Sequence, residues 1–376
     1  MMLRFWAISF FSILMSACGA SQSSETPHYI AEGNPPALSD WGMMSSDGLS
    51  LVLSEGVTPY DLNTPLFTDY AHKLRTIWMP EGVQAGYREN APLAFPVGTV
   101  ITKTFYYPRG ERQNDVLLDL ERADGWRSDG LELENIRLME TRILVLRETG
   151  WLALPYVWNE DQTDAHLARA GDIQHLSLMD DTETEQSFAY IVPNSNQCAG
   201  CHATNNTTRE IQPIGPAARH MNRSYNYASG LENQVEHLVS LGYLDTWPGR
   251  DEAPSAQDYL DPDLDLSLRA RDYLDINCAH CHNSVGAADT SGLLLEHDAS
   301  LGANLGLCKL PIAAGGGTGG HRYDIVPGQP DQSIFIYRME STSPDIMMPE
   351  LGRSLVHQEG VDLIREWISS LDGECL

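Results

Sequence analysis

The chain has 376 residues, enough for two or three domains, and is 42% hydrophobic with 8 Trp, 15 Tyr and 8 Phe, which excludes disorder as its main state. Asp and Glu number 52 against 24 Lys and Arg, a formal net charge of -28. Such a surface cannot neutralise phosphates, so nucleic acid is excluded as a partner, and a basic protein partner is suited instead.

At the amino terminus Arg4 precedes an apolar run, Phe5 to Met15. That run is too short to span a bilayer and fits the core of an export signal. Met15-Ser16-Ala17-Cys18 resembles a lipobox, predicting a signal peptide over 1–17 and lipid on Cys18. An ordinary signal cut after Ala20 is the alternative. Gly19 after Cys18 gives no inner-membrane retention signal, so the predicted location is the periplasm, anchored to the outer membrane. Residues 18–37 read as a tether.

From 38 to 192 the signals are strand-like. Phe95 to Tyr107, Thr141 to Leu146 and Trp151 to Trp158 are rich in β-branched and aromatic residues, with Arg147 to Gly150 as a hairpin turn. One helix is expected near Asp161 to Ala170.

Cys198-Ala-Gly-Cys201-His202 opens the next segment, and Cys278-Ala-His-Cys281-His282 repeats its pattern. C-x-x-C-H is the attachment signature of c-type haem. Two thiols on one tight turn reach the two vinyl groups of a porphyrin, and the adjacent His supplies the fifth iron ligand. A redox dithiol or half a zinc site explains the cysteines but not the His in both copies. The expected cofactors are therefore two covalent haems.

Between the motifs, a helix is expected over Leu231 to Leu241, stopped by Gly242, and Thr246 to Asp263 reads as an acidic linker. Beyond it the pattern is helical. Asp261 is expected to cap a helix with Pro262 in its first turn, leading through Leu266, Ala270, Tyr273 and Leu274 into Cys278. A closing helix carries Val361, Ile364, Trp367, Ile368 and Leu371.

The expected fold class is α+β. A β-rich N-terminal domain (38–192) precedes a first haem-binding segment packed on it (193–250), and an all-α mono-haem cytochrome c domain (251–376) ends the chain.

A Met followed by Pro before the closing helix makes Met348 the expected distal ligand of the second haem, with Met347 the fallback. For the first haem, Met221, His220, His237, His72 and an open iron stand side by side. Pro216 is expected to offer its carbonyl to the ring of His202. With lipid on Cys18 and haem on four cysteines, Cys308 and Cys375 are left over. They predict one disulfide, two free buried thiols being the alternative.

Tyr60 to Tyr70, Phe95-Pro-Val-Gly-Thr99, Glu140-Thr-Arg142, Tyr156 to Asn159, Pro213-Ile-Gly-Pro216, Asn277 to Asn283, Pro327-Gly328 and Met348 to Arg353 together resemble a family of exported di-haem c-type cytochromes of Gram-negative bacteria, often encoded beside a parallel β-helix repeat protein. The resemblance implies two covalent haems and an envelope location. The β region closing on a haem motif is also similar in order to c′-β type cytochromes. Some relatives of these oxidise small nitrogen compounds with a Lys joined to the haem, and Lys103 is the loose match. The sequence therefore points to an electron-transfer protein with a basic redox partner. The alternative is a haem oxidoreductase, peroxidase-like or acting on small nitrogen compounds, in which the first haem is open.

Overall fold

The computed structural model describes residues 26–121, 129–182, 184–312 and 314–376; the expected export signal, the expected lipidation site Cys18 and the start of the expected tether lie outside them. Short strands β1 (Met44–Ser46), β2 (Ser50–Leu53) and β3 (Thr58–Tyr60) lead into the long ones, β4 (His72–Trp78) and β5 (Val100–Pro108). They are followed by β6 (Asp115–Leu117), β7 (Gly130–Glu132), β8 (Ile136–Arg147), β9 (Gly150–Trp158), β10 (Ala165–Leu167), β11 (Asp172–Met179) and β12 (Glu185–Val192).

Six of these strands form one sheet in the order β10-β9-β8-β5-β4-β3, and β1-β2-β7 and β12-β11-β6 form two smaller sheets. The β-branched and aromatic runs alternate as strands must, giving the large sheet two different faces. One face buries Leu74, Val100, Ile143, Val145 and Tyr156 against Trp41, Met44, Leu51 and Leu131 of the β1-β2-β7 side. The other carries Ile77 and Ile101, which pack on Met221, Val235, Leu238 and Ile276 from the later segments. That second face positions the site.

Helix α1 (Ser195–His202) follows β12 and is opened by Asn194, whose side chain accepts from the backbone N–H groups of Asn196 and Gln197. Then come α2 (Ala218–Met221), a hairpin of β13 (Ser224–Tyr227) and β14 (Gly230–Asn233), and α3 (Gln234–Ser240). The expected helix thus begins three residues late, because Leu231 pairs with Asn226 in the hairpin and Asn233 caps by accepting from Val235 and Glu236 N–H. The helix expected over Asp161 to Ala170 is instead a turn and β10. Asn159 Oδ1 accepts from Thr163 N at 2.9 Å, and Ala165–Leu167 pairs with β9.

Helix α4 (Leu266–Leu274) is capped by Asp265, which accepts from Leu268 N at 2.9 Å, so Asp261 and Pro262 lie upstream of the helix. It runs into a π-helical turn, Asp275–Ala279, that carries Cys278. Such turns concentrate at functional sites. Helices α5 (Ile334–Met339) and α6 (Gln358–Ser370) complete the chain, with Tyr273 and Leu274 of α4 in one core with Ile364 and Trp367 of α6.

The expected all-α cytochrome c domain is corrected by this structure. The molecule is mixed α/β, with 27% strand and 20% helix, and 251–376 is not an all-α unit. The stretch between α4 and α5 is mostly turns and loops, with parallel bridges Leu307–Ile325 and Tyr323–Ser333. Ten glycines between Gly286 and Gly328 explain this, since each costs a helix about 1 kcal/mol. Nor does the region stand apart from the sheets. Phe67 N donates to Asn277 Oδ1 at 2.8 Å, and Ser354 N and Leu355 N donate to Asp69 Oδ1 at 2.7 and 2.8 Å. Cys308 and Cys375 are disulfide-bonded, tying the chain end to this loop region. Among the described residues no helix is long and apolar enough to cross a membrane.

Candidate functional site

The two C-x-x-C-H segments meet. Cys281 Sγ lies 3.7 Å from the Gly200 carbonyl oxygen, Asn206 N donates to Val285 O at 2.6 Å, and Asn283 Nδ2 donates to Thr204 O at 3.3 Å. Both segments open into a single cavity of about 890 Å³, at the upper end of the roughly 300–1,000 Å³ usual for organic ligands. Cys198, Cys201, His202, Cys278, Cys281 and His282 all line it.

The four motif cysteines are unpaired. Burial pushes every one of these thiols up, Cys278 to about 12 and Cys281 to about 11. A reactive dithiol needs the opposite shift, so this environment disfavours the redox-dithiol reading. Among the described residues no three His, Cys, Asp or Glu side chains converge on a metal-ion site. A haem iron, which needs one or two axial side chains, makes no such demand.

Each motif His is held by its other ring nitrogen. His202 Nδ1–H donates to Gln212 O at 2.7 Å, not to Pro216, whose carbonyl accepts from Leu93 N. The Gln212 N–H returns a bond to His202 O, so the loop closes on the motif residue itself. His282 Nδ1–H donates to Ser291 Oγ at 3.2 Å, and Ser291 passes its own proton to Ala288 O at 2.6 Å. Burial is the main cause that lowers both imidazoles, His202 to about 3 and His282 to about 4. Both are therefore neutral, with Nε2 as the remaining lone-pair nitrogen, the form that ligates iron.

Met347 and Met348 both line the cavity. Their loop is fixed by Arg353, a buried guanidinium that donates to the carbonyls of Met348 (2.9 Å), Ser341 (2.8 Å) and Leu355 (2.9 Å). The four side chains considered for the first haem do not line the cavity. His72 sits 3.4 Å from Asp119, His220 bonds Asp275, and His237 bonds Glu232 and stacks on Tyr227. Met221 is buried in the core under α3.

The cavity wall opposite α1 is the second face of the large sheet, and it carries charge. Arg75 pairs in register with Lys103, and Lys103 with Arg142, across β4, β5 and β8. Arg75 Nη1 donates to Asp61 at 2.8 Å, and Arg142 grips the fully buried Glu140 through two bonds of 2.5 and 2.8 Å, with Tyr190 donating to the same carboxylate. Lys103 Nζ lies 5.2 Å over the Phe105 ring, and burial with the neighbouring arginines lowers it to about 7. The sequence singled out the motif residues and Lys103, but not the row that strand register makes of Arg75, Lys103 and Arg142. Lysine and arginine two apart on a strand, as at Lys73 and Arg75, was its available signal, since such residues share a face. The acceptors Gln212 and Ser291 had no signal.

The chain matches no protein-family model, no curated protein and no solved structure.

Proposed function

We propose that this protein is a di-haem c-type cytochrome that transfers electrons in the bacterial periplasm, anchored to the outer membrane through lipid on Cys18. The observation that carries the reading is the meeting of two C-x-x-C-H segments at one cavity, each with a neutral His fixed through Nδ1. Bound there, each haem would supply a one-electron iron couple. Cys198 and Cys201 would hold one porphyrin and Cys278 and Cys281 the other, while His202 and His282 ligate from one side. Met348 is the proposed distal ligand at the second site, its main chain held by Arg353. Contact between the motifs keeps the two sites close, which favours exchange between them over exchange with partners. The acidic surface would draw in a basic redox protein, faster at low salt.

The test is the protein matured in a host competent for cytochrome c assembly. Intact mass should show two added porphyrins, and the reduced protein should show c-type absorption bands. A colourless product without the extra mass overturns the reading.

A second reading is a haem oxidoreductase with an open first site. It is favoured by one observation: the four side chains considered for that distal position lie outside the cavity lining, while Lys103 and Arg142 stand in the wall. CO binding by the reduced protein separates the two. No CO complex supports the relay; a complex at one haem supports the enzyme.

A further inference from the structure

We propose that the turn centred on Asp69 and Tyr70 is a positioning device that holds the Met348 loop in a fixed place relative to the second C-x-x-C-H motif. The inference rests on the di-haem reading with Met348 as distal ligand, and adds to it positioning residues from the sheet region.

The starting observation is backbone strain. Asp69 (φ 46°) and Tyr70 (φ 63°) are consecutive, and both adopt the left-handed region without being glycine. Ala71 N donates to Thr68 O at 2.9 Å, so the two are the central residues of a turn whose positive φ values favour Gly and Asn. Asp tolerates that backbone. A bulky Tyr adopts it only where the surroundings hold it there, and such residues gather at functional sites.

The contacts of the turn say what the strain achieves. Tyr107 of β5 donates to Asp69 O at 2.6 Å, which ties the turn to the large sheet. On one side Phe67 N donates to Asn277 Oδ1, and Asn277 immediately precedes Cys278. On the other, Asp69 Oδ1 accepts from Ser354 N and Leu355 N, while Tyr70 Oη accepts from Gln358 N at 3.0 Å and donates to Glu359 Oε2 at 2.9 Å. Leu355 passes the constraint on, because its carbonyl accepts from Arg353, which also donates to Met348 O. Asp69 is 3% and Arg353 6% exposed, so water does not stand in for these bonds. One turn therefore grips the chain beside the second motif and the chain beside Met348. A methionine on a free loop is a weak ligand, since ordering the loop opposes the bond; a loop ordered beforehand removes that cost.

The experiment uses the fully loaded protein. The oxidised form is titrated with imidazole, a competitor for the thioether, followed by the Soret band, and the potential of each haem is measured. M348A, which has no thioether to displace, marks the signals of the second haem. D69A removes the acceptor of two buried N–H groups. It should let imidazole bind the second haem about ten- to a hundred-fold more tightly, the scale of two lost hydrogen bonds, and should lower that haem's potential with the first unchanged. D69N accepts the same two bonds and should bind imidazole as wild type does. Y70F loses only the Tyr70 hydroxyl, so it should move the same two readings by less, and it carries the test if D69A does not mature. Unaltered imidazole affinity in D69A, or in Y70F where D69A does not mature, overturns the proposal. So does a D69N that behaves as D69A, a shift shared by both haems, or an M348A whose signals match wild type. A preparation without porphyrin overturns the di-haem reading as well, and the intact mass tells the two failures apart.

Discussion

Asp275, three residues before Cys278, accepts hydrogen bonds from Arg219 Nη2 at 2.5 Å and from His220 Nε2 at 3.1 Å. Its other oxygen accepts from His297 N at 3.0 Å. One buried carboxylate thus joins α2, the π turn bearing the second motif, and the loop beyond it. Burial would raise its pKa, but the bond from His220 and the charge of Arg219 overcome that and hold the carboxyl well below the usual range.

From this we expect Asp275→Asn to cost about 3–5 kcal/mol, because Arg219 is left buried without its counter-charge. The sign of the pH effect follows. A depressed carboxylate stabilises the fold above its unfolded pKa of about 3.9 and loses that contribution as pH falls through the folded value. Urea titrations of wild type should therefore show an acid limb below about pH 4 that is weaker in Asp275→Asn. Equal limbs in the two proteins would refute the assignment.

Asp69 has the opposite sign. Burial pushes its carboxyl up to about 6, although Leu355 and Ser354 N–H donate to it. A raised acid contributes stability below its unfolded pKa and loses it as pH rises through about 6. Asn accepts the same two bonds without charge, and it tolerates the left-handed φ of 46° found there. We expect Asp69→Asn to be about 1–3 kcal/mol more stable than wild type at pH 8 and no more stable at pH 4. Melting curves at the two pH values decide it.

Ser291→Ala removes the acceptor of the His282 Nδ1 proton. The orphaned N–H should cost about 1–3 kcal/mol, and on the proposed di-haem reading the less basic imidazole should donate less to iron. The expected result is a higher reduction potential at the second haem with the first unchanged. Potentiometry that finds both couples at their wild-type values would count against His282 as a ligand.

The Cys308–Cys375 bond spans 67 residues of sequence. On the chain-entropy account its closure contributes about 4 kcal/mol. Cys375→Ser should lower the denaturation midpoint accordingly and, on the proposed di-haem reading, leave both porphyrins attached, since all four motif cysteines remain. Loss of a porphyrin would show that loop closure supports attachment.

Much was legible in the residues alone. The alternation of Thr141 to Leu146 and of Trp151 to Trp158 specified β8 and β9, because a strand exposes its period locally. The amphipathic spacing of Val361, Ile364, Trp367 and Ile368 specified α6 in the same way. The motif cysteines and their histidines are fixed by covalent neighbourhood, so a fold was not needed to see them. Counting the leftover cysteines named the pair that is bonded.

The fold decided what lies far apart in the chain. Gly200 and Cys281 are 81 residues apart and touch only because α1 and the π turn cover the same sheet face. Gln212 displaced Pro216 as the partner of His202 because loop closure follows backbone geometry, which residue identity did not encode. The helical pattern beyond 251 suggested an all-α unit, but glycine-rich loops and bonds back to Asp69 and Phe67 made it part of a mixed structure. The cation row, finally, exists through strand register. Arg75, Lys103 and Arg142 are ordinary residues in sequence and neighbours only across three paired strands.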